Sequence, residues 1–379
     1  MQIHFSFLTV NFLAIKPFLP TAFIISLYNL GIVIIFFTTL MICLLIYILF
    51  YLYFKNKYEK KYDKWRLISD LLIRKAVFYD DEEMQAETLI PVIARAEMLM
   101  RNKHFRKLLT EELILAKKNI TGIAADNLKR LYKQLQLDKY ALQQLKSRRW
   151  YIQAKAIQEL TVMELNEFLT ILYPYTNNKN ELVRMEAQTA LVQFNGFEGL
   201  RFLDVITYPI SEWQQIKLLQ QLSNVPPVYI SIDEWLKSAN NSVVIFALKL
   251  ARSYHRFELH DIILSCLDHT DPQVRLQAMY YLCEIHTDET SDHLISRFLK
   301  ESFKNQLTII KVLQNIGSEN DILFLLSLLD DDNNEMKLYA ARALAQIGKS
   351  GLASLEDYVR TAGYPLNEML MQIKGELAV

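Results

Sequence analysis

The sequence predicts an all-α protein, one transmembrane helix followed by an α-solenoid of antiparallel helix pairs. Three observations predict it. Glycine and proline are scarce, nine of each in 379 residues, whereas sandwiches, barrels and doubly wound sheets need many turn glycines. No Lys, Arg, Asp or Glu occurs from Pro17 to Phe54, a run longer than the ~20 apolar residues that cross a hydrocarbon core. From about residue 145 onward, small residues recur at one place in successive helical segments, with a period of about 31.

The N-terminal elements follow from charge. Residues 1–28 read as a short extracytoplasmic or interfacial segment, and 29–54 as the transmembrane helix. Soluble helices are rarely apolar on every face for so long. A cleaved signal peptide would need a basic start and a small-residue cleavage site, but Lys16 is the only Lys or Arg ahead of the run. Directly after it come Lys55, Lys57, Lys60, Lys61, Lys64 and Arg66, against Glu59 and Asp63. The positive-inside rule then places the C-terminal body in the cytoplasm and the N-terminus outside, as in a bacterial inner-membrane protein. Residues 55–80 read as a basic juxtamembrane helical stalk whose cations can touch anionic headgroups.

Residues 81–144 read as helical, divergent repeats, with stripes such as Leu108, Leu109, Leu113 and Leu128, Leu131, Leu135. The region 145–362 reads as the repeat array, and 363–379 as a C-terminal capping helix. Four segments align: VRMEAQTALVQF (183–194), VVIFALKLARSY (243–254), VRLQAMYYLCEI (274–285) and MKLYAARALAQI (336–347). Their fifth place holds Ala187, Ala247, Ala278 and Ala340. Steps of 31 add Ile216 and Ile309, and Ala154 and Ala187 continue the series at 33 and 29. Seven residues ahead stand helix-capping types: Ser147, Asn180, Asn240, Asp271, Ser302 and Asn333. At Ile216 that place is Pro209, with Ser211 nearby. Eight residues behind stand His255, His286, Gly317 and Gly348, where the helices should stop. A small residue at a helix crossing lets the axes approach, so the period predicts stacked pairs.

These residues resemble HEAT repeats, whose hallmark is a polar turn, then Val-Arg, then Ala and Leu at helical spacing. Asn180–Val183–Arg184–Ala187–Leu191 and Asp271–Val274–Arg275–Ala278–Leu282 carry it. Lys337 replaces the arginine, and Val244 and Gln306 depart from it. The chain as a whole is similar to Bacteroidetes membrane-anchored HEAT-repeat proteins, through GFEGLRFLDVITYPISEWQQIKLL (196–219). The resemblance implies a solenoid that binds rather than catalyses. An envelope or polysaccharide-export partner is the expectation attached to it.

Composition and motifs exclude other classes. The formal net charge is zero, so no basic excess is available for nucleic acid. Three cysteines, Cys43, Cys266 and Cys283, are too few and scattered for a disulfide framework. Five of the seven histidines fall between 255 and 293, but without His-x-x-x-His or Cys-x-x-Cys spacing. DDDNNEMKLYAA, from Asp330, lacks the glycine and the final glutamate of a calcium loop. GKS (348–350) lacks the first glycine of a phosphate loop. No metal, cofactor or catalytic residue is therefore expected. The enzymatic alternative is a site formed only in the fold, in the groove of the solenoid.

Candidate partner-binding residues are Arg148, Arg149 and Trp150, at a helix start, together with Trp213 and Trp235. Arg and Trp are frequent at interface hot spots, and tryptophans also fill seams between repeats. The expected function is a membrane-anchored cytoplasmic scaffold for an unidentified protein, with lipid contact through the 55–66 cluster.

Overall fold

The computed structural model describes residues 27–79, 89–222 and 232–377, with side chains from residue 32 onward. The expected segment 1–28 lies almost wholly outside these residues. All regular elements among the described residues are helical. The chain divides into two compact units, Met1–Leu113 and Ile114–Val379.

In the first unit the expected membrane helix and stalk are one helix, α1, Leu27–Val77. Its 51 residues make a rod about 75 Å long at 1.5 Å per residue. The apolar half is exposed on all sides, from Ile32 to Phe54, as a lipid-facing helix requires. Its threonine hydroxyls are satisfied internally: Thr38 Oγ1 donates to the Ile34 carbonyl at 2.9 Å and Thr39 Oγ1 to that of Ile35 at 2.7 Å. The second half is amphipathic. Trp65, Ser69, Leu72 and Ala76 recur at helical spacing and are buried, while Arg66, Arg74 and Lys75 between them are exposed. Trp65 meets Phe105 edge-on, with centroids 6.0 Å apart. The far end of the expected stalk is a packed element. Helices α2, Ala94–Leu99, and α3, Lys103–Asn119, follow. Phe105, Leu109 and Leu113 of α3 are fully buried.

The second unit alternates two kinds of helix. One kind is regular. After α4 (Ile123–Gln134) and α5 (Leu137–Leu145) come α6 (Trp150–Val162), α8 (Glu181–Asn195), α9 (Glu212–Gln221), α11 (Asn241–Ser253), α13 (Pro272–Glu284), α15 (Phe303–Ile316) and α17 (Asn334–Gln346). Consecutive members pack side by side: α6 on α8, α8 on α9, α11 on α13, α13 on α15 and α15 on α17. They form one layer of the array.

The second kind is short and at most places adjoins 3-10 turns. It comprises α7 (Leu169–Leu172), α10 (Ile232–Leu236), α12 (His260–Ser265), α14 (Thr290–Arg297) and α16 (Ile322–Ser327). Asn166–Phe168 and Tyr173–Asn177 flank α7 as 3-10 turns, and Gly196–Asp204 is 3-10 throughout. Full antiparallel α-helices were expected here. Close approach explains the difference at Gly199, where a Cβ would stand 2.3 Å from the Leu191 carbonyl oxygen. Helices α18 (Lys349–Ala362) and α19 (Leu366–Leu377) close the chain.

The caps correct the repeat register. The residues preceding the regular helices are Arg149, Asn180 and Ser211, then Asn240, Asp271, Ser302 and Asn333. Both series step by 31, and 29 residues separate Ser211 from Asn240. Seven residues beyond each cap stand Ala156, Ala187, Leu218, Ala247, Ala278, Ile309 and Ala340, all at 0 % exposure. The expected Ile216 is 41 % exposed, and Ala154 is only partly buried. The array is therefore two phased runs, three helices and then four, with a short step between Leu218 and Ala247. Backward counting from Ala247 missed it, because Pro209 occupies the counted cap place and the helix starts at Ser211 instead. Ser147 likewise precedes the helix; its hydroxyl accepts from the Arg149 amide at 3.2 Å.

Candidate interaction surface

Polar residues of the repeats hold the turns. The side chain of Asn180 accepts from the Leu182 and Val183 amides at 3.1 and 3.4 Å. Asn240, Asp271 and Asn333 accept likewise from Ser242, Gln273 and Glu335, at 3.1, 2.8 and 2.8 Å. Four residues beyond five of the seven caps stands a second device, a side-chain donor folded back onto carbonyls of the turn before. Arg184 Nη1 donates to Asn178 and Lys179 at 2.8 and 3.1 Å. Arg275 Nη1 donates to His269 and Thr270 at 2.8 and 3.1 Å. Gln153, Gln215 and Gln306 do the same with Nε2, onto Leu145, Ile210 and Phe298. Gln306 thus departs from the arginine pattern in type and keeps its role. Buried carbonyls need donors, and amide or guanidinium serves. Val244, buried and apolar, is a true departure.

Arg275 is the most connected of these. Its Nε and Nη2 also meet Glu301 at 2.6 and 2.9 Å. Asn305 Nδ2 donates to the same carboxylate at 2.8 Å, and Arg297, itself bound to Asp268, approaches it at 3.8 Å. The Glu301 side chain is wholly buried. Burial alone would raise its pKa, but the bonds from Arg275 and Asn305 and both arginine charges hold it below the usual carboxylate range.

Several arrangements look chemical, and their groups are buried or held in the frame. His260 Nε2 lies 3.4 Å from Thr290 Oγ1, and its Nδ1 lies 3.3 Å from Asp261. This has the order of a nucleophile–base–acid triad, yet Thr290 is fully buried and its hydroxyl accepts from the Thr287 amide at 2.9 Å. Burial pushes the Cys266 thiol up to about 11, away from nucleophilic thiolate. His269 Nδ1 accepts from the Asp271 amide at 3.0 Å, and His255 ends its helix at φ +48°. Asp330 accepts from the Tyr358 hydroxyl, and Asp331 from the Asn333 amide at 2.7 Å. Among the described residues no group of three or more His, Cys, Asp or Glu is placed to hold a metal.

A cleft of about 1070 Å³ opens beside the short step, between the turns around 204–209, 234–242 and 271–273. Its carboxylates include Asp204, which accepts from Trp235 Nε1 at 2.6 Å, and Asp271, which caps α13 and accepts from Asn241 at 2.7 Å. These acids are engaged in the frame.

The sequence-nominated residues separate. Trp235 is 5 % exposed and belongs to the interior through that bond to Asp204. Trp150 and Trp213 are 45 % and 68 % exposed, and Arg148 and Arg149 are exposed beside Trp150. The register adds Tyr151 and Leu182, which sequence reading missed, to the nominated Trp213. Two places beyond their caps, Tyr151, Leu182 and Trp213 stand at steps of 31, and all three are exposed. In the second run the same place holds Ser242, Gln273, Lys304 and Glu335. A row of large apolar side chains thus crosses the first run alone. The signal existed in the sequence but was hidden by the wrong phase.

The basic cluster is partly engaged within its own unit. Lys61 Nζ lies 4.7 Å from the Trp65 ring centroid, Arg66 Nε donates to Glu112 at 3.1 Å, and Lys55 stands 3.9 Å from Glu59. Lys57, Lys60 and Lys64 are exposed.

No family model and no curated protein matches the chain. Among solved structures it is similar to an engineered protein, at 16 % identity and TM-score 0.34, over 73 % of this chain and 87 % of the other. It is also similar to Kap121p, at 11 % identity and TM-score 0.32, over 83 % of this chain and 49 % of that one, so it spans about half the length of Kap121p. A Kap121p structure with Ste12p bound gives 12 % identity and TM-score 0.31, over 82 % and 37 %. Likeness this loose carries no argument about partners. The helical-repeat fold stands on the chain's own packing: two phased runs of capped helices, side by side, above short tightened ones.

Proposed function

We propose that the chain is a membrane-anchored scaffold that holds a protein partner at the cytoplasmic face of a bacterial inner membrane and catalyses no reaction. The observation that carries the reading is the division of labour among the repeats. Their polar positions close turns and buried bonds, while the row Tyr151, Leu182 and Trp213 stays exposed. Exposed large apolar side chains in a row mark an interaction surface rather than a reaction centre. The wholly exposed apolar half of α1 supports the anchor, and the lysines after it support an N-terminus-out orientation with lipid contact.

Crosslinking in native membranes followed by affinity capture tests the scaffold. At least one protein should be enriched over an anchor-only control carrying residues 1–80; enrichment of none defeats the reading. A fluorescent-protein fusion at the C-terminus tests orientation separately. It should fluoresce, whereas an active periplasmic phosphatase fusion at that end would reverse the topology.

A further inference from the structure

We infer that the exposed row of the first run receives an amphipathic helix of the partner, apolar along one face and acidic at the end that meets Arg148, Arg149 and Lys179. The inference rests on the scaffold reading and names the chemistry of its partner.

The geometry selects a helix. Neighbouring helices of a layer lie roughly 8–10 Å apart, and α6 packs on α8 and α8 on α9. Tyr151, Leu182 and Trp213 therefore form a line about 20 Å long. A helix rises about 10.5 Å in seven residues. Laid along the row, its apolar residues at i, i+7 and i+14 meet the three side chains in turn. The Tyr151 anchor is set in advance: Arg149 Nη1 donates to its hydroxyl at 3.1 Å, and the Trp150 and Tyr151 rings meet edge-on, with centroids 5.8 Å apart. Pre-ordered aromatic side chains lose little freedom on binding.

The charge selects an acidic end. Lys146, Arg148, Arg149 and Lys179 are exposed around Tyr151 and Leu182, and among the described residues none of them forms an ion pair. Glu181 adjoins Leu182, and Glu212 adjoins Trp213 and lies 3.7 Å from Lys249. The positive field is therefore concentrated at the α6 end of the row, and acidic residues of the partner are expected there. Complementary charge of this kind fixes direction and speeds encounter.

The test uses the full chain in lipid nanodiscs and two fluorescein-labelled helical peptides of about 21 residues, with leucine at i, i+7 and i+14. One carries glutamates flanking its first leucine, the other lysines at the same places. By anisotropy, the glutamate peptide should bind about tenfold tighter or more than the lysine peptide. Trp213→Ala should weaken the glutamate peptide about tenfold, Arg148→Glu with Arg149→Glu should erase its advantage, and Gln273→Ala in the second run should change nothing. Equal binding of the two peptides, binding of neither, or indifference to both sets of variants overturns the inference. The membrane capture experiment remains separate. A partner captured equally by wild type and by the Trp213→Ala variant defeats this surface and leaves the scaffold standing.

Discussion

Arg275 and Glu301 form a two-pronged pair, with bonds of 2.6 and 2.9 Å, between a helix and the turn that opens the next one. Glu301 is 7 % exposed as a residue and its side chain not at all. Removing one partner of a buried pair leaves a desolvated charge behind, at roughly 3–5 kcal/mol. Glu301→Ala should therefore lower the thermal midpoint of the body well beyond the effect of removing an exposed acid such as Glu181. Calorimetry of the two variants in the same detergent makes the comparison.

The same pair predicts acid sensitivity. The folded Glu301 carboxyl titrates below its ordinary value of 4.5. Its stabilisation is complete above the unfolded value and is lost as pH falls through the lower, folded one. Wild-type stability should drop as pH is lowered from about 5 toward 3, and the drop should be smaller in Glu301→Gln. Denaturant midpoints at several pH values measure it; equal slopes in the two proteins would remove Glu301 from the account.

The corrected register makes opposite demands on near neighbours. Leu218→Ala empties a fully buried place and should cost about 2–5 kcal/mol. Ile216→Ala, two residues away and 41 % exposed, should stay within about 0.5 kcal/mol. A larger cost at Ile216 would restore the uninterrupted 31-residue count.

The caps separate in the same way. Asp271→Ala removes a 2.8 Å bond to the Gln273 amide and should cost about 1 kcal/mol. Ser302 stands at the matching place without a side-chain bond to its helix, so Ser302→Ala should be nearly neutral. Chemical denaturation of both variants distinguishes a cap by contact from a cap by residue type.

The four tryptophans divide into buried Trp65 and Trp235 and exposed Trp150 and Trp213. Replacing Trp150 and Trp213 with phenylalanine should leave blue-shifted emission that acrylamide barely quenches. Replacing Trp65 and Trp235 should leave the red-shifted, quenchable part.

How much of this was legible depended on which force set each feature. The apolar run and its basic flank need no tertiary partner to be read, because lipid and charge act on them directly. Asn180, Asn240, Asp271 and Asn333 were legible because a cap acts within its own helix. Phase was not, since Pro209 and Ser211 compete for one role and only packing decides, as the burial of Leu218 shows. The short outer elements were missed for a related reason: the close approach of Gly199 to Leu191 is a distance between elements. Among the site candidates, Trp213 and Trp235 have similar local sequence, and only the Asp204 carboxylate, 31 positions ahead of Trp235, draws one of them inside.

The short step between Leu218 and Ala247 has a consequence for cooperativity. Linear arrays unfold as coupled nearest neighbours, and each joint sets how far an opening spreads. Across this joint α9 and α11 are tied by polar bonds, Gln215 Nε2 to the Ser242 carbonyl at 3.3 Å and Lys249 Nζ to Gln215 Oε1 at 2.9 Å. Fraying that starts at the C-terminal end can stop there, leaving the three helices that carry Tyr151, Leu182 and Trp213 folded beside one another.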